Sequence, residues 1–192
     1  LKGLALTAHV FASFESQGLG GFSPELFQAY SVRVARLAKR FLEGRSNADE
    51  AFSAGLLHDL GKMIIAVRLP TRFAAITSLV AESKAPLYQI ERDLIGVTHA
   101  EIGAYLLGMW GLPHAIVEAV ALHHTPGQVK PRPGGDYAAL AAVHAADALL
   151  GIYSCFDPED LLDLEFLERA GFAHDLPRWH ELAKEEAAKM AQ

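Results

Sequence analysis

Five segments of this 192-residue sequence carry side chains of metal-ligand type: His58-Asp59, His99, His123-His124, His144 and Asp147. Imidazoles mixed with carboxylates suit a divalent transition metal such as iron, manganese or zinc. In phosphoester hydrolysis such an ion generates hydroxide from bound water and neutralises charge on the phosphoryl oxygens. Lys62 lies one helical turn beyond His58 and can share its face, where an ammonium suits a phosphate or a carboxylate. His144 and Asp147, at i and i+3, also share a face. Each residue has a plainer reading. A lone histidine on an apolar helix, as His99 would be by itself, is most simply a packed, hydrogen-bonded core residue. His123-His124 precedes Thr125-Pro126 and could instead contact the negative end of a helix. Asp147 could be a buried carboxylate bonded to a neighbouring helix. His9, His114, His174 and His180 have no such company and read as surface or packing residues.

The elements that must position these residues read as helices. Leu26, Tyr30, Val34, Leu37 and Phe41 fall on one helical face. Ser23-Pro24-Glu25 supplies an N-cap with proline at N1, and Gly44 a C-terminal stop. A second helix is expected from Asn47 to Leu60, stopped by Gly61. His58-Asp59 follows Ala54-Gly55-Leu56-Leu57 and should emerge at the end of this buried helix. Pro70 and Pro86 head further helical patterns. Thr98 caps a helix holding His99, Ile102, Gly103, Leu106 and Trp110. Gly111-Leu112-Pro113 breaks it and starts the next, which reaches His123. Gly127–Gly135 reads as a loop and Asp136–Ser154 as a long helix. Asp157-Pro158 opens the first of two C-terminal helices, broken by Gly171 and Pro177. Strand-like alternation and internal repeats are absent. The expected architecture is one all-α bundle with a helical C-terminal extension.

Hydrophobic residues make up 51% and charged residues 21%, the balance of a globular chain. The net charge of −6 argues against nucleic-acid binding, which needs a basic surface. No apolar run is long enough to span a bilayer, so no membrane association is expected. A single cysteine, Cys155, excludes an internal disulfide and suits a reducing, cytoplasmic setting. The chain opens on Leu1 in what reads as the middle of a packed structure, as a fragment without its N-terminal part would.

Ala54-Gly55-Leu56-Leu57-His58-Asp59-Leu60-Gly61-Lys62 resembles the His-Asp motif of the HD phosphohydrolase superfamily. Thr98–Ala104 resembles its next histidine segment. Trp110-Gly111-Leu112-Pro113, His123-His124 and Ala146-Asp147-Ala148 follow in the same order. Within the superfamily, Leu1–Leu150 resembles the HDOD (HD-related output) domain of bacterial signalling proteins. The specific features are Leu56–Lys62, Gly96–Leu107 with Glu91 upstream, and Trp110–Pro113. Leu1–Ser16 resembles the middle of such a domain more than its start. The resemblance implies an HD-superfamily-like helical bundle at 1–156, with its N-terminal part missing, and a C-terminal appendage at 157–192. It also implies an upstream receiver or other signalling domain, as in response regulators of two-component systems, and a protein partner of unknown identity.

The superfamily pattern makes His58, Asp59, His99, His123, His124 and Asp147 the metal-ligand set, with Lys62 and Asp59 catalytic in an active enzyme. One departure matters. Active members place a histidine within a stretch like His-Ser-x-x-Val-Ala, and here it reads Tyr30-Ser31-Val32-Arg33-Val34-Ala35. A neutral phenol, with a pKa of about 10, is a poor ligand. Tyr30 is expected to fill the lost ligand's space and bond to the remaining ones. Thr125-Pro126-Gly127 stands where the cyclic-dinucleotide phosphodiesterase branch has Gly-Tyr-Pro. The leading expectation is a signalling output domain with a degenerate metal site, its Fe, Mn or Zn ion held weakly or lost. The alternative is an active metal-dependent phosphohydrolase on a nucleotide or cyclic dinucleotide. A third reading is a purely structural dimerisation module.

Overall fold

The computed structural model describes residues 23–83, 85–132, 135–151 and 157–189, and among these no strand occurs. Leu1–Ser16, His9, Cys155 and the end of the expected Asp136–Ser154 helix lie outside the described residues. No helix among the described residues is long and apolar enough to cross a membrane.

Helix α1 (Pro24–Phe41) starts as its sequence dictates: Ser23 Oγ accepts from the Leu26 N–H, and Pro24 occupies the first turn. Its buried face is Phe27, Tyr30, Val34, Leu37, Ala38 and Phe41. Leu26, expected on that face, is instead 62% exposed. Phe27 takes its place, because it stands in the middle of the buried arc that includes Tyr30, Ser31, Val34 and Ala38, whereas Leu26 stands at its edge.

The helix expected from Asn47 to Leu60 is two helices, α2 (Ala48–Leu57) and α3 (Leu60–Arg68). Asp59 leaves helical geometry at φ −99°, ψ 6°, and the Lys62 N–H bonds to its carbonyl at 2.8 Å to start the next helix. Gly61 is therefore no C-terminal stop. It lies in the first turn of α3, where a Cβ would collide with the His99 carbonyl and Cα. Glycine is needed there for close backbone approach, not for a left-handed turn. Gly55 plays the same part on α2, where a Cβ would stand 2.8 Å from Ala35 Cα on α1.

Helices α4 (Pro70–Glu82) and α5 (Leu87–Ile95) pack Phe73, Ile76 and Ile90 against Ile65 and Ala66 of α3. Gly96, left-handed at φ 77°, ends α5. Helix α6 (His99–Met109) begins with a full capping box between Thr98 and Glu101. Helix α7 (His114–Leu122) follows the Gly111–Pro113 break, and a short 3₁₀ turn at Pro126–Gln128 leads on.

Helix α8 (Ala138–Leu150) runs through the centre and buries all but two of its residues. It starts two residues later than expected, and it ends at Leu150, where Gly151 at φ 44° caps it. The C-terminal helices α9 (Pro158–Leu161), α10 (Leu164–Arg169) and α11 (Leu176–Ala188) share a core with α1 and α8. Gly171 separates α10 from α11, whereas Pro177 sits inside the first turn of α11 and breaks nothing. Trp179 is fully buried; its ring stacks on Phe41 at 4.5 Å and its Nε1–H donates to the Phe41 carbonyl at 3.3 Å. Such a stacked pair adds about 0.5–1.5 kcal/mol beyond its burial.

The Gly61 contact generates a paired prediction. Gly61→Ala is expected to lose about 1–3 kcal/mol or more, because backbone must move to admit the methyl group. Gly108→Ala, on the exposed side of α6 with nothing within 4 Å of its Cβ, should gain roughly 0.4–1 kcal/mol. Urea unfolding of both variants checks this, and coincident midpoints would refute the close-packing account.

Candidate metal centre

Four backbone features deliver the site. The α2–α3 turn presents His58 and Asp59. The first turn of α6 presents His99, the end of α7 presents His123 and His124, and α8 presents Asp147. The Gly61–His99 approach brings Asp59 to His99, and Gly103 one turn further on rests against the Gly61 backbone nitrogen. The six residues converge with Tyr30 and Lys62 around them.

The imidazoles are held in one orientation. His58 Nδ1–H donates to the Gly55 carbonyl at 2.6 Å and His123 Nδ1–H to the Val120 carbonyl at 2.8 Å. His99 Nδ1–H donates at 2.6 Å to Glu91 Oε2, which also accepts the His99 backbone N–H at 2.8 Å. A carbonyl can only accept, and Glu91 Oε2 already accepts the His99 backbone N–H, so Nδ1 carries the proton in each case and Nε2 faces the cluster. This outer bonding is how proteins orient metal-ligating histidines.

The Nε2 atoms close on Asp59. Asp59 Oδ1 lies 3.2 Å from His99 Nε2 and 3.8 Å from His123 Nε2, while His124 Nε2 is 3.0 Å from His99 Nε2. Ligand atoms about 2.1 Å from an ion at tetrahedral angles stand roughly 3.4 Å apart. Asp59, His99, His123 and His124 thus form one group that could hold an ion, and His58, His123 and Asp147 a second. His58 Nε2, Asp59 Oδ1 and His123 Nε2 are buried without a hydrogen-bond partner. These unpaired atoms belong to the two ligand groups, His123 to both, and a cation there would satisfy them; leaving a buried polar group unpaired costs about 1–3 kcal/mol.

Charge follows the same geometry. Burial would raise the Asp59 carboxyl, but His58, Lys62 and His99 hold it well below the usual carboxylate range. Burial would likewise raise Asp147, and the His58 ring 3.4 Å away holds it low. Burial pushes His58 down, yet Asp59 and Asp147 beside it outweigh this and raise its pKa. Burial and Lys62 lower His99, and Glu91 and Asp59 reverse that to a net rise. Burial, with His58 adjacent, pushes His123 down to about 3, and burial with His123 adjacent holds His124 well below its ordinary value. The cluster therefore needs positive charge at its centre, carried by protons on His58 and His99 or by an ion.

Tyr30 is 6% exposed, and its hydroxyl donates to Asp147 Oδ1 at 2.7 Å. Lys62 Nζ donates to Asp59 Oδ2 at 2.6 Å. The side chains of Asp147 (16% exposed), Lys62 (17%) and His124 (23%) connect the otherwise buried cluster to solvent. Tyr88 stacks its ring on His124 at 5.0 Å and lines an adjoining groove of about 650 Å³ with Gln89, Arg92, Glu101 and Thr125.

His144 does not join the cluster. Its Nδ1–H donates to the His123 carbonyl at 2.7 Å, and its Nε2 accepts the Asp163 N–H at 2.9 Å. His114 and His174 are exposed surface residues, each beside a carboxylate, and His180 lies 3.4 Å from Glu159. Sequence reasoning missed what Glu91 does. Glu91 belongs to the family pattern named above, but the run Glu91-Arg92-Asp93 by itself gives no sign that its first carboxylate is buried.

The sequence model of the HDOD domain family matches residues 1–126. The crystal structure of an HDOD domain protein from Geobacter sulfurreducens is similar over 94% of this chain and 63% of that one, at 26% identity and a TM-score of 0.70. A response regulator from Methylococcus capsulatus shares the fold over 88% of this chain and 65% of its own, at 23% identity and a TM-score of 0.57. A relative named Ribonuclease Y 2, from Pediococcus pentosaceus, is 29% identical over 84% of this chain and 25% of its own length. The chain spans less than two thirds of each of these proteins.

Two outcomes follow from this geometry. His58 and His99 hold protons above their ordinary value of 6.5, so an entering ion must displace them. Metal affinity should rise with pH through 6.5 and level only above their raised pKa values, with proton release seen as a buffer-dependent enthalpy in calorimetry. Glu91→Ala should weaken metal binding about 10- to 100-fold by freeing the His99 ring. Affinity independent of pH, or unchanged by Glu91→Ala, would refute the orientation argument.

Proposed function

This chain belongs to the HDOD domain family, and from that premise we propose that it is a signal-transduction output domain built around a divalent-metal centre. Asp59, His99, His123 and His124 are the proposed ligands, and three imidazoles with one carboxylate suit zinc, iron or manganese. The observation that carries this reading is a set of buried atoms without hydrogen-bond partners: Asp59 Oδ1 and His123 Nε2 within the ligand set, and His58 Nε2 in the adjoining group.

The centre is proposed to bind rather than to turn over efficiently. Hydrolysis of a phosphoester commonly uses two ions that clamp the attacking and leaving oxygens. The second ligand group is His58, His123 and Asp147, and it shares His123 with the first. Tyr30 places a phenol where a fourth donor would stand and engages Asp147 Oδ1. A bound ion would polarise whatever enters the opening, and Lys62 supplies a cation there. That ammonium favours the second reading, a working metal-dependent phosphohydrolase with Asp59 and Lys62 as catalytic groups on a nucleotide or cyclic dinucleotide.

The proposed setting is a longer signalling protein with a receiver or other input domain upstream and a protein partner downstream. Within it, 1–156 is the HDOD-like part and 157–192 an appendage.

Elemental analysis and calorimetry test the metal reading. The purified chain should carry or bind about one ion, and Asp59→Asn should abolish binding. Tyr30→His should raise affinity or create a second site. A chain that binds no zinc, iron or manganese would overturn it. Strong manganese-dependent cleavage of a generic phosphodiester, lost in Asp59→Ala, would replace the output-domain reading with the enzyme.

A further inference from the structure

The turn that carries His123 and His124 is gripped from outside the centre. His123 is fixed twice, its ring by the Val120 carbonyl and its main-chain carbonyl by His144 Nδ1–H at 2.7 Å. That carbonyl stands at the C-terminal end of α7, where helix carbonyls lack partners within the helix. His144 is 3% exposed and reaches a second element on its other side, where Nε2 accepts the Asp163 N–H at 2.9 Å. Because Asp163 N–H can only donate, His144 is neutral with its proton on Nδ1. One rigid ring therefore spans a candidate ligand and the C-terminal segment.

Asp163 is the N-cap of α10, its Oδ1 accepting the Phe166 N–H at 2.8 Å. Phe166 and Leu167 are buried in the main core, and the Phe166 ring meets the His144 ring edge-on at 6.5 Å. The loop after His124 touches the same helix. Arg169 Nη2 donates to the Gly127 carbonyl at 3.3 Å, and a Cβ on Gly127 would stand 2.7 Å from Asp163 Oδ2. Of these residues only Val120, His123 and His124 lie within the stretch that the family match covers; Gly127, His144 and the residues from Asp163 to Arg169 lie beyond it.

We propose that His144 is a positioning residue that couples the metal centre to the C-terminal helices, so that ion binding at His123 is read out as tighter docking of Asp163–Arg169. The proposal rests on the metal reading above. An ion that draws in His123 Nε2 fixes the turn, hence the His123 carbonyl, hence the His144 ring and the Asp163 amide it holds. Coupling of this kind is reciprocal: what the ion adds to docking, docking adds to ion affinity.

Two substitutions divide the ring's two bonds. In His144→Asn the amide nitrogen can replace Nδ1 toward His123, and the bond to Asp163 is lost. In His144→Gln the amide oxygen can replace Nε2 toward Asp163, and the bond to His123 is lost. Amide hydrogen exchange is followed at Asp163, Phe166 and Leu167 with and without zinc, relative to Ile76 in α4 as a report on global opening. Cobalt absorption reports ligand geometry. In the unaltered chain zinc should slow exchange in α10 about tenfold beyond its effect at Ile76. Both variants should lose that extra slowing. The cobalt spectrum should stay unchanged in His144→Asn and shift in His144→Gln.

If zinc binds to the unaltered chain but α10 exchange follows Ile76, the coupling is refuted while the metal reading stands. If zinc does not bind, iron or manganese takes its place in the same comparison, and if none of the three binds, both fall. Should the variants fail to fold, the zinc response of the unaltered chain decides alone.

Discussion

The carboxylate of Asp59 is 2% exposed, and taking a charge of that size out of water costs several kcal/mol unless partners replace the lost solvent. Nearly every local choice in this half of the molecule supplies such a partner. Lys62 turns back one helical turn to meet Oδ2. His99, His123 and His58 arrive from three different helices with their proton-bearing nitrogens directed away and their free nitrogens directed in. Gly61 gives up its side chain so that α6 can approach closely enough for His99 to reach. Removing any one partner leaves the carboxylate's charge less compensated, which is why the packing and the site cannot be separated.

The two flanks of Asp59 are not equivalent. Toward His99 and His123 the donors are nitrogen lone pairs, anchored from behind by Glu91 and by the Val120 carbonyl. Toward Asp147 a phenol donates a proton instead. A hydroxyl that gives a hydrogen bond to a carboxylate neutralises part of its charge without offering an electron pair. The Tyr30 side therefore lowers the demand for an ion, while the His99 side retains it. That asymmetry is what supports the proposal of a centre that binds an ion without efficient turnover.

Glu91 and His144 show how the site is tied to the rest of the fold. Glu91 binds both the main chain and the ring of His99 with one oxygen, so helix α5 moves only with the start of α6. His144 does the equivalent between the end of α7 and the C-terminal segment. Both are buried polar groups whose bonding partners are fully specified. Networks of this kind tolerate little rearrangement, because a half-satisfied member inside a low-dielectric core is costly.

Much of this was legible in the residues alone. The helical repeat, the Ser23-Pro24 start, the Thr98 cap and the Gly111–Pro113 break are local signals, read by backbone and neighbouring side chains within one turn, and each stands where it was expected. The residue types at 58, 59, 99, 123, 124 and 147 announced metal-like chemistry, and Tyr30 announced its departure. Local signals failed where the deciding contact was remote. Gly61 reads as a helix stop by itself, but its true constraint is the His99 carbonyl thirty-eight positions away. Leu26 and Phe27 are equally apolar, and only the packed neighbours select Phe27 for the core. Glu91 and His144 look like a surface acid and a possible ligand. Their roles as orienting groups depend on which carbonyl or ring stands within hydrogen-bond reach, and sequence spacing cannot encode a distance across helices. Composition and periodicity determined what this chain is made of; tertiary contact alone decided which of its polar groups point at one another.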